Sequence, residues 1–271
     1  MRRSGKLSAS LIGALLLALT APLANALDLY PQAARSYILV RDDQTVAERA
    51  STQRLPPASL TKLLTALVVL DSNWDAERWL TVSANAASTP PTRVGLRAGE
   101  QITAGAALAA MLIRSANDAC RVLVENFAAN ATEFQKLINA RAAQLKMLDS
   151  HFVDPCGFDA PGQHSTVTDL LILGRRAQAV PLIARLSATP EAHVITRNGR
   201  IVRFVNTNQL LGRLEGAQGL KTGYTAQAGQ CLIAFAQRPG HDVWLVMLGG
   251  TQRWWLAHGM IDDAFAARPL R

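Results

Sequence analysis

Cysteine is scarce in this chain: Cys120, Cys156 and Cys231 are the only three in 271 residues. No two of them form a C-x-x-C pair, so neither a zinc knuckle nor a thioredoxin-type redox site is indicated. An oxidising compartment would permit one disulfide and leave one thiol over, and the spacing does not choose the pair. Cys120 and Cys231 stand in apolar stretches and are expected to pack as small hydrophobic side chains. The five histidines, His151, His164, His193, His241 and His258, fall in no His-Glu-x-x-His or other metal-binding pattern. No Gly-x-Ser-x-Gly elbow is present, which argues against a Ser-His-Asp hydrolase. The stretch from Gly216 to Thr222 has the outline of a phosphate loop, but Leu220 precedes the lysine where glycine is required. Internal repeats and low-complexity tracts are absent as well. No metal and no cofactor is expected.

Long apolar runs are missing beyond the N-terminus. Arg2, Arg3 and Lys6 precede a short apolar core over 11–19, and Ala24-Asn25-Ala26 offers a small-x-small cleavage pattern. That is the build of a signal peptide, because a bilayer-spanning helix needs about 20 apolar residues and this core has half as many. Residues 27–271 are then expected as the mature chain, with no integral membrane segment, and 245 residues suffice for one compact domain. The leader takes three of the 28 basic residues and none of the 20 acidic ones, leaving 25 against 20. A mild basic excess suits an anionic surface or polymer such as a bacterial envelope. Nucleic acid is not an expected partner, since no cluster of basic and aromatic residues accompanies it.

The pattern of elements is mixed. Residues 36–40 read as a strand followed by the turn-like Arg41-Asp42-Asp43. Pro56-Pro57 breaks the chain before Ser59, and Leu60, Leu63, Leu64, Leu67, Val68 and Leu70 then recur at helical spacing to Asp71. Helices are expected over 104–113, 119–129 and 133–146, and from a cap at Thr168-Asp169 to Ala179. Residues 81–103 and 152–165 read as loops. Strand patterns occupy 194–204, 230–236 and 243–248, and a closing helix spans 254–265. Strand, helices, strands and helix in that order predict an α+β domain whose antiparallel sheet is built from both ends of the chain.

Three short motifs stand in this frame: Ser59-Leu60-Thr61-Lys62, Ser115-Ala116-Asn117 and Lys221-Thr222-Gly223. Together they supply a serine nucleophile, two lysines, a second hydroxyl and an amide, the parts needed for attack on an amide carbonyl by a lysine-activated serine. Residues i and i+3 of a helix are neighbours, roughly 5–6 Å apart at Cβ, so Ser59 and Lys62 share a face. A free lysine titrates near ~10.4, and a base working at neutral pH must lie about three units lower, a difference of some ~4 kcal/mol. Burial can supply that, and a second cation pushes the same way; Lys221 is the candidate. A second Ser-x-Asn, Ser83-Ala84-Asn85, lies in the loop-rich stretch and is read as a turn.

With these motifs, and with Leu96-Arg-Ala-Gly-Glu100, Phe152 to Gly162, Ser165 to Leu170, Asn206-Thr-Asn208 and Lys221 to Thr225, the chain resembles the low-molecular-mass penicillin-binding proteins, the D-alanyl-D-alanine carboxypeptidase and endopeptidase family. The likeness runs from about Tyr30 to Phe265. It implies the β-lactamase/D,D-peptidase-like fold, an antiparallel sheet flanked by helices with an all-helical lobe. It also implies site roles. Ser59 is the nucleophile and Lys62 its base, Ser115 relays a proton to the departing amine, and Asn117 orients Lys62 and the substrate. Lys221, Thr222 and Gly223 meet the substrate, with Lys221 and Thr222 on its terminal carboxylate, and the backbone N–H groups of Ser59 and Tyr224 form the oxyanion hole. Arg253 is a further candidate for the carboxylate. The implied partners are peptidoglycan stem peptides and β-lactam antibiotics, and the implied location is the periplasm. The end of the chain at 267–271 leads us to expect neither a β-rich C-terminal module nor a membrane anchor. Carboxypeptidase and cross-link endopeptidase both stay open. A class A β-lactamase is disfavoured because no Glu-x-x-Leu-Asn follows Ser115, and a non-catalytic binding module because Ser59, Lys62 and Lys221 are intact.

Overall fold

A computed structural model describes residues 27–266; the signal-peptide reading of 1–26 and the end of the chain at 267–271 lie outside the described residues. The chain opens with the hairpin β1 (Ser36–Arg41) and β2 (Gln44–Arg49). Asp42 and Asp43, the two turn residues, both have positive φ, +47° and +66°, the turn whose twist matches paired strands. A 3-10 turn, Ala58–Leu60, leads into α1 (Thr61–Asp71). Then come β3 (Trp79–Thr81), the short α2 (Ala84–Ala87), β4 (Gln101–Thr103), α3 (Ala104–Ile113), α4 (Asn117–Phe127) and α5 (Ala131–Gln144). A long loop separates these from α6 (Val167–Gln178) and α7 (Pro181–Ala188). The hairpin β5 (Glu191–Ile195) and β6 (Ile201–Val205) follows, then β7 (Ala217–Thr225), β8 (Gly229–Arg238), β9 (His241–Gly250) and α8 (Arg253–Ala266).

The main sheet is antiparallel, in the order β2-β1-β9-β8-β7. Its central pairing joins the two ends of the chain, Ile38 lying opposite Val246. Side chains alternate across a strand, and here both faces are covered. Tyr37, Leu39, Leu232, Leu245 and Met247 pack with Ala257, Met260 and Ile261 of α8. Ile38, Val40, Ile233, Trp244 and Val246 face the helical lobe. Burial on both faces is why residues 243–248 read as a continuous apolar run. In the lobe α1 is the central helix: every residue from Thr61 to Val69 is buried, as befits a helix apolar on all sides. Glycine lets α6 approach the sheet, since a Cβ on Gly174 would lie 2.9 Å from Ile233.

Several expectations shift. The helix expected from Ser59 starts at Thr61, leaving Ser59 in the tighter turn before it. The cap of α6 is Thr166, whose hydroxyl accepts the Asp169 N–H at 3.1 Å. Residues 194–204 form most of a separate hairpin instead of joining the sheet, and α7, opened by Pro181, was not anticipated. Cys120 is not a free packing residue: it is disulfide-bonded to Cys156, 36 residues away. Cys231 is the buried free thiol, its pKa pushed up to about 11 chiefly by burial. The structure decides this pairing because the α4 face carrying Cys120 packs under the loop carrying Cys156. No helix among the described residues is long and apolar enough to cross a membrane.

Opening a loop of this length in the unfolded chain is worth about 3–4 kcal/mol in the chain-entropy account. Replacing Cys120 and Cys156 together by serine should therefore lower the unfolding free energy by an amount of that order in a denaturant titration, with the m-value reporting any change in the compactness of the end states.

Candidate active site

The three motifs converge on one cleft of about 600 Å³ between the helical lobe and strand β7. Ser59, Ser115, Asn117, Thr222, Gly223, Tyr224 and Arg253 line it. Lys62 and Lys221 lie in its floor, at 0% and 1% exposure. Each motif is delivered by a different element: the turn into α1, the turn from α3 into α4, and the strand at the sheet's edge. Two of these turns hold alanine or serine in the left-handed region, Ala58 at φ +48° and Ser115 at φ +60°. Such conformations cost of order 1–3 kcal/mol and gather at functional sites.

Lys62 sits in a three-membered cradle. Its Nζ is 2.8 Å from Ser59 Oγ and 2.8 Å from Asn117 Oδ1, and it donates to the Cys156 carbonyl. Asn117 is oriented by its other amide atom, Nδ2 donating to Pro90 O at 3.0 Å, and its backbone N–H donates to Thr92 O at 2.7 Å. The Asn117 and Cys156 oxygens can only accept. A neutral amine has two N–H bonds and one lone pair; with both hydrogens given to these oxygens, the lone pair is left for the Ser59 hydroxyl. Burial brings the Lys62 pKa down to about 7, with Asp154 raising it and Arg121 lowering it. Arg121, paired to Asp154 at 3.0 Å, is thus a cation that lowers Lys62, beside Lys221, the cation expected from the sequence. Lys221 is itself lowered, by burial first, then by Lys62 and by Arg253, and the repulsion between the two lysines acts on both.

Lys221 Nζ donates to Ser115 Oγ at 2.7 Å and to Thr222 O at 2.9 Å. Ser115 thus stands between the second lysine and the open cleft. The Thr222 hydroxyl is 2.7 Å from that of Thr207. Arg253 spans the cleft's far wall, its Nη1 donating to Gly223 O at 2.7 Å and to Cys231 O at 2.8 Å. Its guanidinium lies 4.4 Å over the Trp254 ring, and its buried Nε has no partner. Cationic, packed and partly unsatisfied, Arg253 suits a carboxylate.

Two glycines press on the turn that carries Ser59. A Cβ on Gly157 would lie 2.1 Å from Ala58 O, and one on Gly223 would lie 3.0 Å from Ala58 Cβ and 3.1 Å from the Ser59 nitrogen. Strand β7 therefore passes directly beside the Ser59 amide. Asp154 shapes the loop on the other side, its Oδ1 accepting the N–H groups of Cys156 and Phe158 at 2.8 and 3.2 Å.

The structure thus brings together every residue singled out from the sequence: Ser59, Lys62, Ser115, Asn117, Lys221, Thr222, Gly223, Tyr224 and Arg253. Ser83 and Asn85 lie apart from them, hydrogen-bonded to Glu125. Sequence reasoning missed the Cys156 carbonyl, Arg121, Asp154, Gly157 and Thr207 as parts of the site. The segments 152–162 and 206–208 drew attention, but nothing in them marks a main-chain acceptor or a charge aimed at a distant lysine.

The chain as a whole is similar to known proteins. The chain matches the family described as D-alanyl-D-alanine carboxypeptidase, peptidase family S11, over residues 24–252. It is 35% identical over 236 residues to a D-alanyl-D-alanine carboxypeptidase of Mycobacterium tuberculosis, covering 83% of this chain and 79% of that protein. It is 34% identical over 215 residues to a D-alanyl-D-alanine endopeptidase of Pseudomonas aeruginosa, covering 76% and 68%. It superimposes on the crystal structure of a D-alanyl-D-alanine carboxypeptidase from Mycobacterium tuberculosis with a TM-score of 0.81 at 32% identity, over 88% of this chain and 93% of that one.

Gly157 and Gly162 both have φ near +85°, yet only Gly157 has a backbone atom in the way of a Cβ. Gly162→Ala should cost about 1–2 kcal/mol, the left-handed penalty alone. Gly157→Ala should cost at least ~3 kcal/mol in a denaturant titration, because the Ser59 turn must also shift.

Proposed function

The chain belongs to the D-alanyl-D-alanine carboxypeptidase family, and on that premise we propose that it is a serine D,D-peptidase cleaving the terminal D-Ala-D-Ala bond of peptidoglycan stem peptides through an acyl-enzyme on Ser59. The observation that carries this reading is the Lys62 cradle, a buried amine with two oxygen acceptors and one serine hydroxyl within reach.

The chemistry follows the geometry. Lys62 accepts the Ser59 proton as Oγ attacks the carbonyl of the penultimate D-alanine. The Ser59 and Tyr224 N–H groups would receive the oxyanion, and preorganised donors of this kind are usually the largest part of the rate gain. Ser115, hydrogen-bonded to Lys221, passes a proton to the departing nitrogen, so that D-alanine leaves as an amine while the acyl–Ser59 ester forms. Asn117 keeps Lys62 and the substrate amide in register. Lys221, Thr222 and Arg253 hold the terminal carboxylate, with Gly223 letting the strand pass close by. Water then hydrolyses the ester. Penicillins, which place a reactive amide where the D-Ala-D-Ala bond would be, acylate Ser59 by the same attack.

A second reading is hydrolysis of D-alanyl cross-links. The similarity to an endopeptidase supports it, as does a basic groove beside the cleft. The basic, apolar and small-residue order of residues 1–26 supports export to the periplasm, with residues 27–271 as the catalytic domain.

Benzylpenicillin and intact-mass spectrometry test the reading. One drug molecule should add to the wild-type protein and map to Ser59, and Ser59→Ala should carry none; labelling that persists in that variant would overturn the assignment. Lys62→Ala should slow acylation at least ~100-fold, the lower range for general base catalysis.

The acylation rate should also depend on pH with a definite sign. Lys62 works as the neutral base, and its pKa lies at about 7, so the rate should rise from pH 5 through 7 and level off above. Arg121 holds that pKa down, and its removal also leaves the Asp154 carboxylate unpaired beside the amine. Arg121→Gln should therefore move the midpoint upward in the same pH profile.

A further inference from the structure

A second concavity, of about 560 Å³, lies against the catalytic cleft and is lined by Arg93, Arg114, Arg203, His193, Glu191 and Val205, among others. Their linings adjoin along the chain. Arg93 follows Thr92, Arg114 precedes Ser115, and Val205 stands two residues before Thr207, and Thr92, Ser115 and Thr207 all line the catalytic cleft. The lining of this second concavity thus carries three arginines and one acidic residue. Arg114 and Arg203 make no ion pair or side-chain hydrogen bond among the described residues, and Arg93 donates only to the Ala87 carbonyl, at 3.3 Å. By contrast Arg200, on the same hairpin, is paired with Glu100 at 2.6 Å and holds that carboxyl below its usual range.

The walls are pinned in place. The Thr207 N–H donates to Ile113 O at 3.1 Å, and Asn206 Nδ2 donates to Ser187 O and Thr189 O at 3.1 and 2.9 Å. At the other end of the hairpin, Arg197 N–H donates to Gln101 O at 2.8 Å, beside the Arg200–Glu100 pair. The planar, forked guanidinium groups match carboxylates in shape and charge.

The groove adjoins a definite side of the cleft. Thr222, which holds the leaving group's carboxylate in the mechanism above, is 2.7 Å from Thr207, and the chain runs from Thr207 back to Val205 and Arg203 in the groove. A single D-alanine leaving group spans at most ~3.6 Å of chain, and its one carboxylate is already met by Lys221, Thr222 and Arg253. A larger leaving group would continue past Thr207.

We propose that Arg93, Arg114 and Arg203 form an anion subsite for the leaving half of a cross-linked substrate, a second stem peptide whose additional carboxylates enter the groove. This rests on the D,D-peptidase reading and extends it: the subsite contributes nothing to release of a lone D-alanine and favours cleavage of cross-links.

The test compares a soluble cross-linked muropeptide dimer with an uncross-linked pentapeptide. Arg93→Gln with Arg203→Gln should lower kcat/KM for the dimer about tenfold or more, the range of a lost charge-assisted hydrogen bond, mainly through KM. Pentapeptide turnover and acylation by benzylpenicillin should stay within about twofold. Arg203→Lys in an otherwise wild-type chain should retain more dimer activity than Arg203→Gln, and dimer kcat/KM should fall more steeply with salt than pentapeptide kcat/KM. Equal losses on both substrates, no loss on either, or a loss seen only with intact sacculi would each overturn the subsite. A wild-type enzyme that is acylated by benzylpenicillin and yet leaves the dimer uncut would overturn the subsite alone. A wild-type chain that neither takes up benzylpenicillin nor releases D-alanine would overturn the peptidase reading beneath it.

Discussion

Everything at the cleft depends on keeping the Lys62 amine out of water. An isolated ammonium is expensive to bury, and the system relieves that cost by lowering the pKa until the neutral amine is accessible near pH 7. The cradle then does more than solvate. Two oxygens that can only accept fix the amine's hydrogens and leave its lone pair for Ser59. Those oxygens come from α4 and from the 152–165 loop, so the base is poised only when three separate segments are docked around α1. The Cys120–Cys156 disulfide ties two of the three together, with Cys120 three residues beyond Asn117 and Cys156 itself supplying a carbonyl.

Packing the second lysine close by sharpens the same constraint. Lys221 is lowered by burial and by Lys62, because two ammonium groups in one buried floor repel each other. Positive charge in the floor nonetheless suits the site, because both the substrate's terminal carboxylate and the oxyanion are negative. Arg253 adds to that field from the far wall, and the basic groove carries it outward beyond Thr207. The arginines of that groove thus lie beside the cleft that would take an anionic substrate.

Local strain accompanies this arrangement. Ala58 and Ser115 occupy the left-handed region, and Gly157 and Gly223 leave no room for a side chain against the Ser59 turn. The buried faces of α1 and the double-sided burial of the sheet supply the packing that holds these turns in place. β7 is well suited to its role because it is the last strand of the sheet: an edge strand can bring Lys221, Thr222 and Gly223 to the helical lobe where a central strand would be enclosed by its neighbours.

Much of this was legible in the order of residues. The α3 limits at 104 and 113, the turn at Asp42-Asp43, the apolar runs of β8 and β9, and the three motifs follow from local periodicity, turn chemistry and short spacing. Ser59 and Lys62 are three residues apart, and helical geometry alone brings them together. What lay outside the sequence depends on contacts between distant segments. The pairing of Cys120 with Cys156, the Cys156 carbonyl on Lys62, the action of Arg121 on that lysine, and the placing of Arg93, Arg114 and Arg203 around one groove all require knowing how the loops dock. The sequence alone determined which chemical groups this protein possesses and in which local structures they sit. The tertiary structure decided which of them share a water-free space, because burial and charge–charge distance are properties of packing and set the pKa and the partner of every group in the cleft.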